Sequence, residues 1–325
     1  MIHKVGAAQD SATQSMNHLL AIGGAHIDRR GQVAGGFVPG ASNPGTMGEE
    51  VGGGVFNAIR HAVRRGVSAS LLSVRGGDAA GECVSSAIAE AGISDLSAVF
   101  LDRATPSYTA LLDRHGDVIA ALADMALYEL AFPRLIRRAK VRDAIADADM
   151  ILCDANLPTS ALQRLMTISA GKQVFAIAIS PAKVVRLSTV LPSLGCLFMN
   201  GREAAALAGP GMEAPSSVVE RLRQLGLTSG VISGGAEVVT GFDASGVFTI
   251  KPPAPREIAD VTGAGDALAG GTVAAMMRGL TLRHALREGM TAAMLTLESR
   301  SSAPDYSASQ FADALSLVPD AREMR

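Results

Sequence analysis

The sequence predicts an α/β protein: a doubly wound, mainly parallel sheet flanked by helices, with a small antiparallel β lid. Three observations carry this. Short apolar runs at 19–24, 150–154, 174–179, 194–199 and 230–233 alternate with helical stretches such as 158–171 and 216–225, the rhythm of strand–helix units. Three short alternating runs, 97–102, 107–113 and 118–123, break that rhythm and read as lid strands. Near the C-terminus a run of small residues, Asp260-Val-Thr-Gly-Ala-Gly-Asp-Ala267, leads out of Pro-rich coil into an unbroken helical pattern.

The 325 residues suit one large α/β domain, and 48% hydrophobic content supplies a sizeable core. A formal net charge of −2 leaves no basic field for nucleic acid or a membrane surface. The 4% aromatic content and the lack of Trp also weigh against a base-stacking surface. No apolar run is long enough to span a bilayer, and the N-terminus has no apolar signal core, so the expected location is cytoplasmic. Cys83, Cys153 and Cys196 are far apart and read as buried free thiols. The six histidines form no ligand-spaced pair, which argues against structural zinc.

In chain order, residues 1–17 are polar and aperiodic, a loose leader to a domain over 18–320. The run at 19–24 is a buried first strand that delivers His26 and Asp28 at its C-terminal end, where open α/β sheets bind ligands. On its residues alone, Asp28 is also an ordinary turn-capping carboxylate. Residues 32–39 alternate weakly as a lid strand, and Ser42-Asn43-Pro44-Gly45 is turn chemistry. Lid segments are expected at about 29–50 and 97–125. Gly52, Gly53 and Gly54 precede a helix running to about residue 65, so the backbone there approaches something closely. A strand at 69–74, a turn at Gly76-Gly77-Asp78 with Asp78 as helix N-cap, and a helix at 79–91 follow. The chain closes with helices at 265–278, 281–296 and about 308–317.

Two stretches carry chemistry. Gly263, Ala264 and Gly265 sit where loop becomes helix, with free backbone N–H groups and a dipole that favours an anion such as phosphate. Asp266 in the first turn reads either as a dipole-complementing carboxylate or as a base for phosphoryl transfer. Asn200 and Glu203 open a helix after a strand, and read either as a capping box or as a seat for hydrated Mg²⁺. Ser233-Gly234-Gly235 ends another strand.

Asp260-Val-Thr-Gly-Ala-Gly-Asp-Ala267 resembles the C-terminal signature of the ribokinase-like (phosphofructokinase-B type) carbohydrate and nucleoside kinases. The resemblance covers about 19–318. It implies ATP and Mg²⁺ as cofactors, Asp266 as the base and Gly263, Ala264 and Gly265 as an anion hole. It implies acceptor contacts from Asp28, Gly52, Gly53 and Asn57. It assigns Asn200 and Glu203 to Mg²⁺ and phosphate, and Ser233, Gly235 and Thr262 to the nucleotide. It gives Asp260 a share in a K⁺ site completed by the loop 299–304. It also implies a lid that pairs across a homodimer. The chain departs from the pattern at His26, where many relatives have Asn. It departs again at 176–181, where relatives often have Asp-Pro and a polar contact is missing or has moved to Ser180 or Lys183.

Within the family the chain most resembles bacterial pseudouridine kinases, through four short pieces: 25–28, 42–45, 105–113 and 123–125. These add Asn43, Ser107 and Asp124 as acceptor-binding candidates. Pseudouridine presents two ring N–H donors and uridine one, so a discriminating site needs an extra acceptor, which Asn43 or Asp124 could supply. The other small-molecule acceptors compatible with the resemblance are a sugar (ribokinase- or fructokinase-like) and adenosine. A catalytically silent binding protein would not need Asp266, the glycines and Asn200/Glu203 together. A dinucleotide dehydrogenase would need a Gly-x-Gly-x-x-Gly turn that is missing after the first strand.

Overall fold

The computed structural model describes residues 17–211 and 214–324. Of the leader expected at 1–17 only Asn17 falls among them; its side-chain amide donates to the Met277 carbonyl.

The strand His18–Ile22 lies inside a ten-stranded sheet, between Met150–Asp154 on one side and Ser68–Leu72 on the other, all parallel. Its side chains alternate between two cores. Leu19 and Ala21 enter one apolar cluster, Leu20 and Ile22 the other, and all four are fully buried. A sheet covered on both faces needs such an uninterrupted apolar strand. Parallel pairing continues outward through Gln173–Ile177, Cys196–Asn200 and Gly230–Ser233. Antiparallel strands Val239–Asp243, Gly246–Ile250 and Arg322–Glu323 extend that edge. The order reverses at His18–Ile22, because the chain winds first to one side of it and then to the other. Ligands bind outside the carboxyl ends of strands at such a point.

The helices Gly54–Arg64, Ala264–Met277 and Leu282–Leu297 pack on one face. A methyl at Gly270 would overlap the Ala58 carbonyl, so the first two of these helices touch backbone to backbone.

The lid is a four-stranded sheet ordered Gly45–Gly52, His26–Val33, Ser107–Leu112, Val118–Asp124. Both flanking pairs are antiparallel, and the central pair is parallel. Asp28 therefore lies within a lid strand rather than at the end of the first core strand. The strand expected at 32–39 stops at Val33, and 34–44 is a loop that returns the chain to Gly45. The run at 97–102 does not join the lid: Ala98–Phe100 pairs with Val74–Gly76 in a separate two-stranded sheet. Asp78 caps the helix Ala79–Glu90 by accepting from Gly81 N–H at 2.8 Å.

All three cysteines are free; Cys153 and Cys196 are buried, but Cys83 is exposed, contrary to the sequence reading. Burial pushes the Cys196 thiol up to about 12, which keeps it protonated and inert. No helix among the described residues is long and apolar enough to cross a membrane.

Candidate active site

The N-termini of Gly54–Arg64 and Ala264–Met277 converge beside the reversal point. Asn57, buried one turn into the first helix, donates from Nδ2 to Asp266 Oδ2 at 2.9 Å. Its Oδ1 accepts from Arg60 at 2.6 Å. Asn57, expected to hold acceptor hydroxyls, thus aims the Asp266 carboxylate through Nδ2 and is itself braced by Arg60 through Oδ1. Asp266 is half-buried and its pKa is pushed from 3.8 to about 7. Burial is the main cause, and the charges of Asp154 and Asp28 add to it. The Asn57 hydrogen bond and the Arg60 charge work the other way. A carboxylate poised near neutrality suits a general base. Replacing Asn57 with Leu removes a bond that favours the charged form. The rising limb of kcat/KM against pH is then expected to move to higher pH; an unmoved limb would show that Asn57 does not tune Asp266.

Gly263 caps the second helix in the left-handed region, at φ 77°, which disfavours any side chain. A methyl there would also stand 2.9 Å from the Ser302 carbonyl oxygen and Cβ. No side chain caps this helix, so the first-turn N–H groups of Ala264 and Gly265 stay available. A methyl on Gly265 would meet nothing within 4 Å. Open space over uncapped N–H groups is what a phosphate requires.

Where the sequence predicts the acceptor, a methyl at Gly52 would overlap Asp28 Oδ2, and one at Gly53, at φ 121°, would overlap the Gly24 carbonyl. His26 Nε2 lies 3.3 Å from Asp28 Oδ1, and its Nδ1 lies 3.1 Å from the Tyr128 hydroxyl. Beneath them, Asp154 is fully buried at the end of its strand. It accepts from Gly24 N–H at 3.0 Å, Val55 N–H at 3.3 Å, and the backbone and side-chain N–H of Asn156 at 2.9 and 3.0 Å. These bonds fix the glycine turn that delivers the lid strand. Ile179 stands against Gly54 near Asp266. Its φ is 71°, and Ser180 N–H bonds back to the Ala178 carbonyl at 2.9 Å, making a strained γ-turn at a β-branched residue. Such strain collects at functional sites.

Three further residues expected to contact the acceptor are set apart from Asp28. Asn43 closes its own loop: it accepts from Val38 N–H at 2.8 Å and donates to the Val38 and Ala41 carbonyls, both at 3.0 Å. Ser107 pairs with Ile27 and with Asp124, whereas Asp28 pairs with Tyr108 and Glu50. Directly paired residues share a face and neighbours along a strand alternate. Ser107 and Asp124 therefore lie on the lid face opposite Asp28, and Tyr108 lies on the Asp28 face.

Where the sequence predicts the nucleotide, Asn200 and Ser233 are register partners at the ends of adjacent parallel strands. Asn200 and Glu203 form a capping box: Glu203 N–H donates to Asn200 Oδ1 at 2.9 Å, and Asn200 N–H donates to Glu203 Oε2 at 2.7 Å. Burial raises the Glu203 carboxyl, with the Asn200 bonds opposing. Gly235, at φ 67°, faces open space. Thr262 N–H donates to Asp260 Oδ1 at 2.8 Å, and the lid residue Arg30 donates to Asp260 Oδ2 at 2.6 Å. Asp260 therefore carries a fixed cation from the protein.

Residues 16–308 match the pfkB family carbohydrate kinase description. The chain belongs to that family. A carbohydrate kinase from Agrobacterium tumefaciens of solved structure is 46% identical, with a TM-score of 0.84 over 95% of this chain and 100% of that one. The pseudouridine kinase of Escherichia coli (strain K12) is 29% identical over 311 residues, 94% of this chain and 97% of its own length. Arabidopsis thaliana ribokinase, solved with ribose and ATP, shares the fold at 19% identity, with a TM-score of 0.81 over 92% of this chain and 98% of that one. The ribokinase-like fold expected from the sequence is the fold observed.

The pfkB kinase carries site residues that the sequence reading passed over. Asp154 had a visible signal, a lone charge closing the apolar run at 150–154. Asn156 gave none, because its contact, Lys183 Nζ donating to Asn156 Oδ1 at 2.5 Å, joins residues 27 apart; Lys183 itself is one of the two positions to which the sequence moved the missing polar contact. Arg30 and Arg60 were hidden among ordinary surface charges.

Proposed function

We propose that this pfkB kinase transfers the terminal phosphoryl group of ATP to the 5′-hydroxyl of a nucleoside, with pseudouridine as the favoured acceptor. The observation that carries the reading is Asp266. A carboxyl raised to about 7 stands beside uncapped helix N–H groups, across from the Asp28 and Gly52 wall. Asp28, the Gly52–Gly53 backbone and the aimed Asp266 hold the hydroxyl, and Asp266 takes its proton as the bond to phosphorus forms. The N–H groups of Ala264 and Gly265, turned outward by Gly263, stabilise the charge on the transferring group. Ser233, Gly235 and Thr262 border the nucleotide.

Oxygen donors at Asn200 and Glu203 suit a hard cation. Among the described residues no three His, Cys, Asp or Glu side chains converge, which is compatible with a Mg²⁺ held mainly by phosphate and water. Mg²⁺, when bound with ATP, would neutralise phosphate charge there.

Pseudouridine is favoured because of the E. coli relative's activity and the composition of the lid's inner face. Tyr108 offers a ring beside Asp28, where a planar base could stack. A cleft of about 270 Å³ bounded by Ala123, Met125, Glu129, Asn156, Lys183 and Arg186 offers N–H donors for ring carbonyls and, in the Glu129 carboxylate paired with Arg186 at 2.7 Å, an acceptor. Neither Asn43 nor Asp124 lines this cleft. Met47 and Leu111 flank Gly31 on the opposite face, and Leu122 lies there too; all three are exposed, which favours a homodimer through the lid. The free thiols favour a cytoplasmic location.

ADP release across pseudouridine, uridine, adenosine, ribose and fructose tests the reading, and pseudouridine is expected to give the highest kcat/KM. Tyr108→Leu is expected to raise KM for the nucleoside about tenfold, the size of one stacked base, while leaving ribose unaffected. A strong preference for ribose or fructose would retain the kinase and overturn the nucleoside.

A further inference from the structure

We infer that phosphoryl transfer by this chain does not depend on a monovalent cation, because Arg30 of the lid strand supplies the positive charge at Asp260. The inference rests on the kinase reading of the same site. The family resemblance places K⁺ between Asp260 and the loop 299–304, and the residues present do not fit one.

A monovalent cation needs a carboxylate that no fixed cation already neutralises, and a set of converging oxygens. Both Asp260 oxygens are engaged, Oδ1 by Thr262 N–H at 2.8 Å and Oδ2 by Arg30 Nη1 at 2.6 Å. The other branch of the Arg30 guanidinium lies 3.3 Å from Glu50, so one fixed cation serves two carboxylates. Three hydroxyls and one carbonyl of the partner loop are also engaged. Ser302 Oγ accepts from Arg60 at 2.9 Å, and the Ser302 carbonyl is 3.2 Å from His61 Nε2. Ser299 Oγ and Ser301 Oγ accept from Ser301 and Ala303 N–H at 3.0 and 3.3 Å. Burial, then Arg64, pushes Arg60 down to about 10, so it stays charged at neutral pH and repels a second cation from the loop.

A guanidinium at this place differs from K⁺ in one respect. It is covalently part of the lid, so the charge that steadies the loop before the anion hole arrives with the strand that bears Asp28. Arg30 is therefore a positioning residue that ties the acceptor wall to the phosphate wall.

The test replaces choline chloride by KCl at constant ionic strength, which holds general screening fixed. For the unaltered chain, kcat and KM for ATP are expected to change less than twofold, and the melting temperature is expected to be the same in both salts. In Arg30→Gln, turnover in choline chloride is expected to fall at least tenfold and to recover several-fold in KCl, with the melting temperature now higher in KCl. Tenfold activation of the unaltered chain by K⁺, or a K⁺-specific rise in its melting temperature, would overturn the inference. So would an Arg30→Gln variant that works normally without K⁺. If no acceptor supports ADP release, the kinase reading fails, and the melting comparison still decides whether K⁺ binds.

Discussion

Asp266→Asn is expected to lower kcat by about 10²–10⁴-fold, the usual contribution of a positioned general base, with acceptor and ATP binding retained. The amide keeps an oxygen for the Asn57 bond, so the geometry survives while the proton acceptor is lost. For the unaltered chain, kcat/KM should rise with pH through about 7, as the carboxyl of Asp266 ionises. The same group supplies an independent thermal readout. Its pKa is higher in the folded state than the ordinary 3.8, so the neutral carboxyl contributes stability that is complete below the ordinary value. That contribution declines as pH rises and is lost above about 7. The substituted amide is neutral at every pH. The variant should therefore melt above the parent at pH 8, and the difference should shrink toward pH 4. Near-normal turnover with no pH-dependent difference in melting would remove Asp266 from the mechanism.

Gly263→Ala is expected to cost about 10²-fold in turnover, the effect of displacing catalytic groups by about an ångström. Two causes act together. A side chain at φ 77° costs about 1–2 kcal/mol, and its methyl would press on Ser302 from 2.9 Å. Relief requires the cap to rotate, which re-aims the N–H groups of Ala264 and Gly265. Gly265→Ala separates stability from function. Its methyl meets no protein atom within 4 Å, so the fold should be nearly unaffected, but the methyl enters the space assigned to phosphate and KM for ATP should rise. A Gly265→Ala enzyme with unchanged KM for ATP would show that phosphate lies elsewhere.

The sheet and the anion corner were legible because local pattern determines them. Apolar runs such as 150–154 become buried strands, and the small residues at 260–267 leave a helix start bare. The lid was less legible, because its strands are half-exposed and weakly alternating. Nothing local in 97–102 says that it pairs with Val74–Gly76 rather than with the lid. Side-chain facing was also out of reach. Whether Asp124 meets the acceptor depends on its register against Ser107, and a shift by one residue would reverse the answer. Asn57 shows a related limit: its position was apparent, but its tie to Asp266 spans 209 residues of sequence.

The two walls come from different parts of the chain. On the proposed reading, residues 26–57 shape what is held and residues 200–266 shape how phosphate is handled, and the bonds Asn57 to Asp266 and Arg30 to Asp260 bridge them. Such a division is modular. Mutations in the early segment can redirect the enzyme toward a new alcohol while the transfer machinery stays intact, provided both bridging pairs are kept.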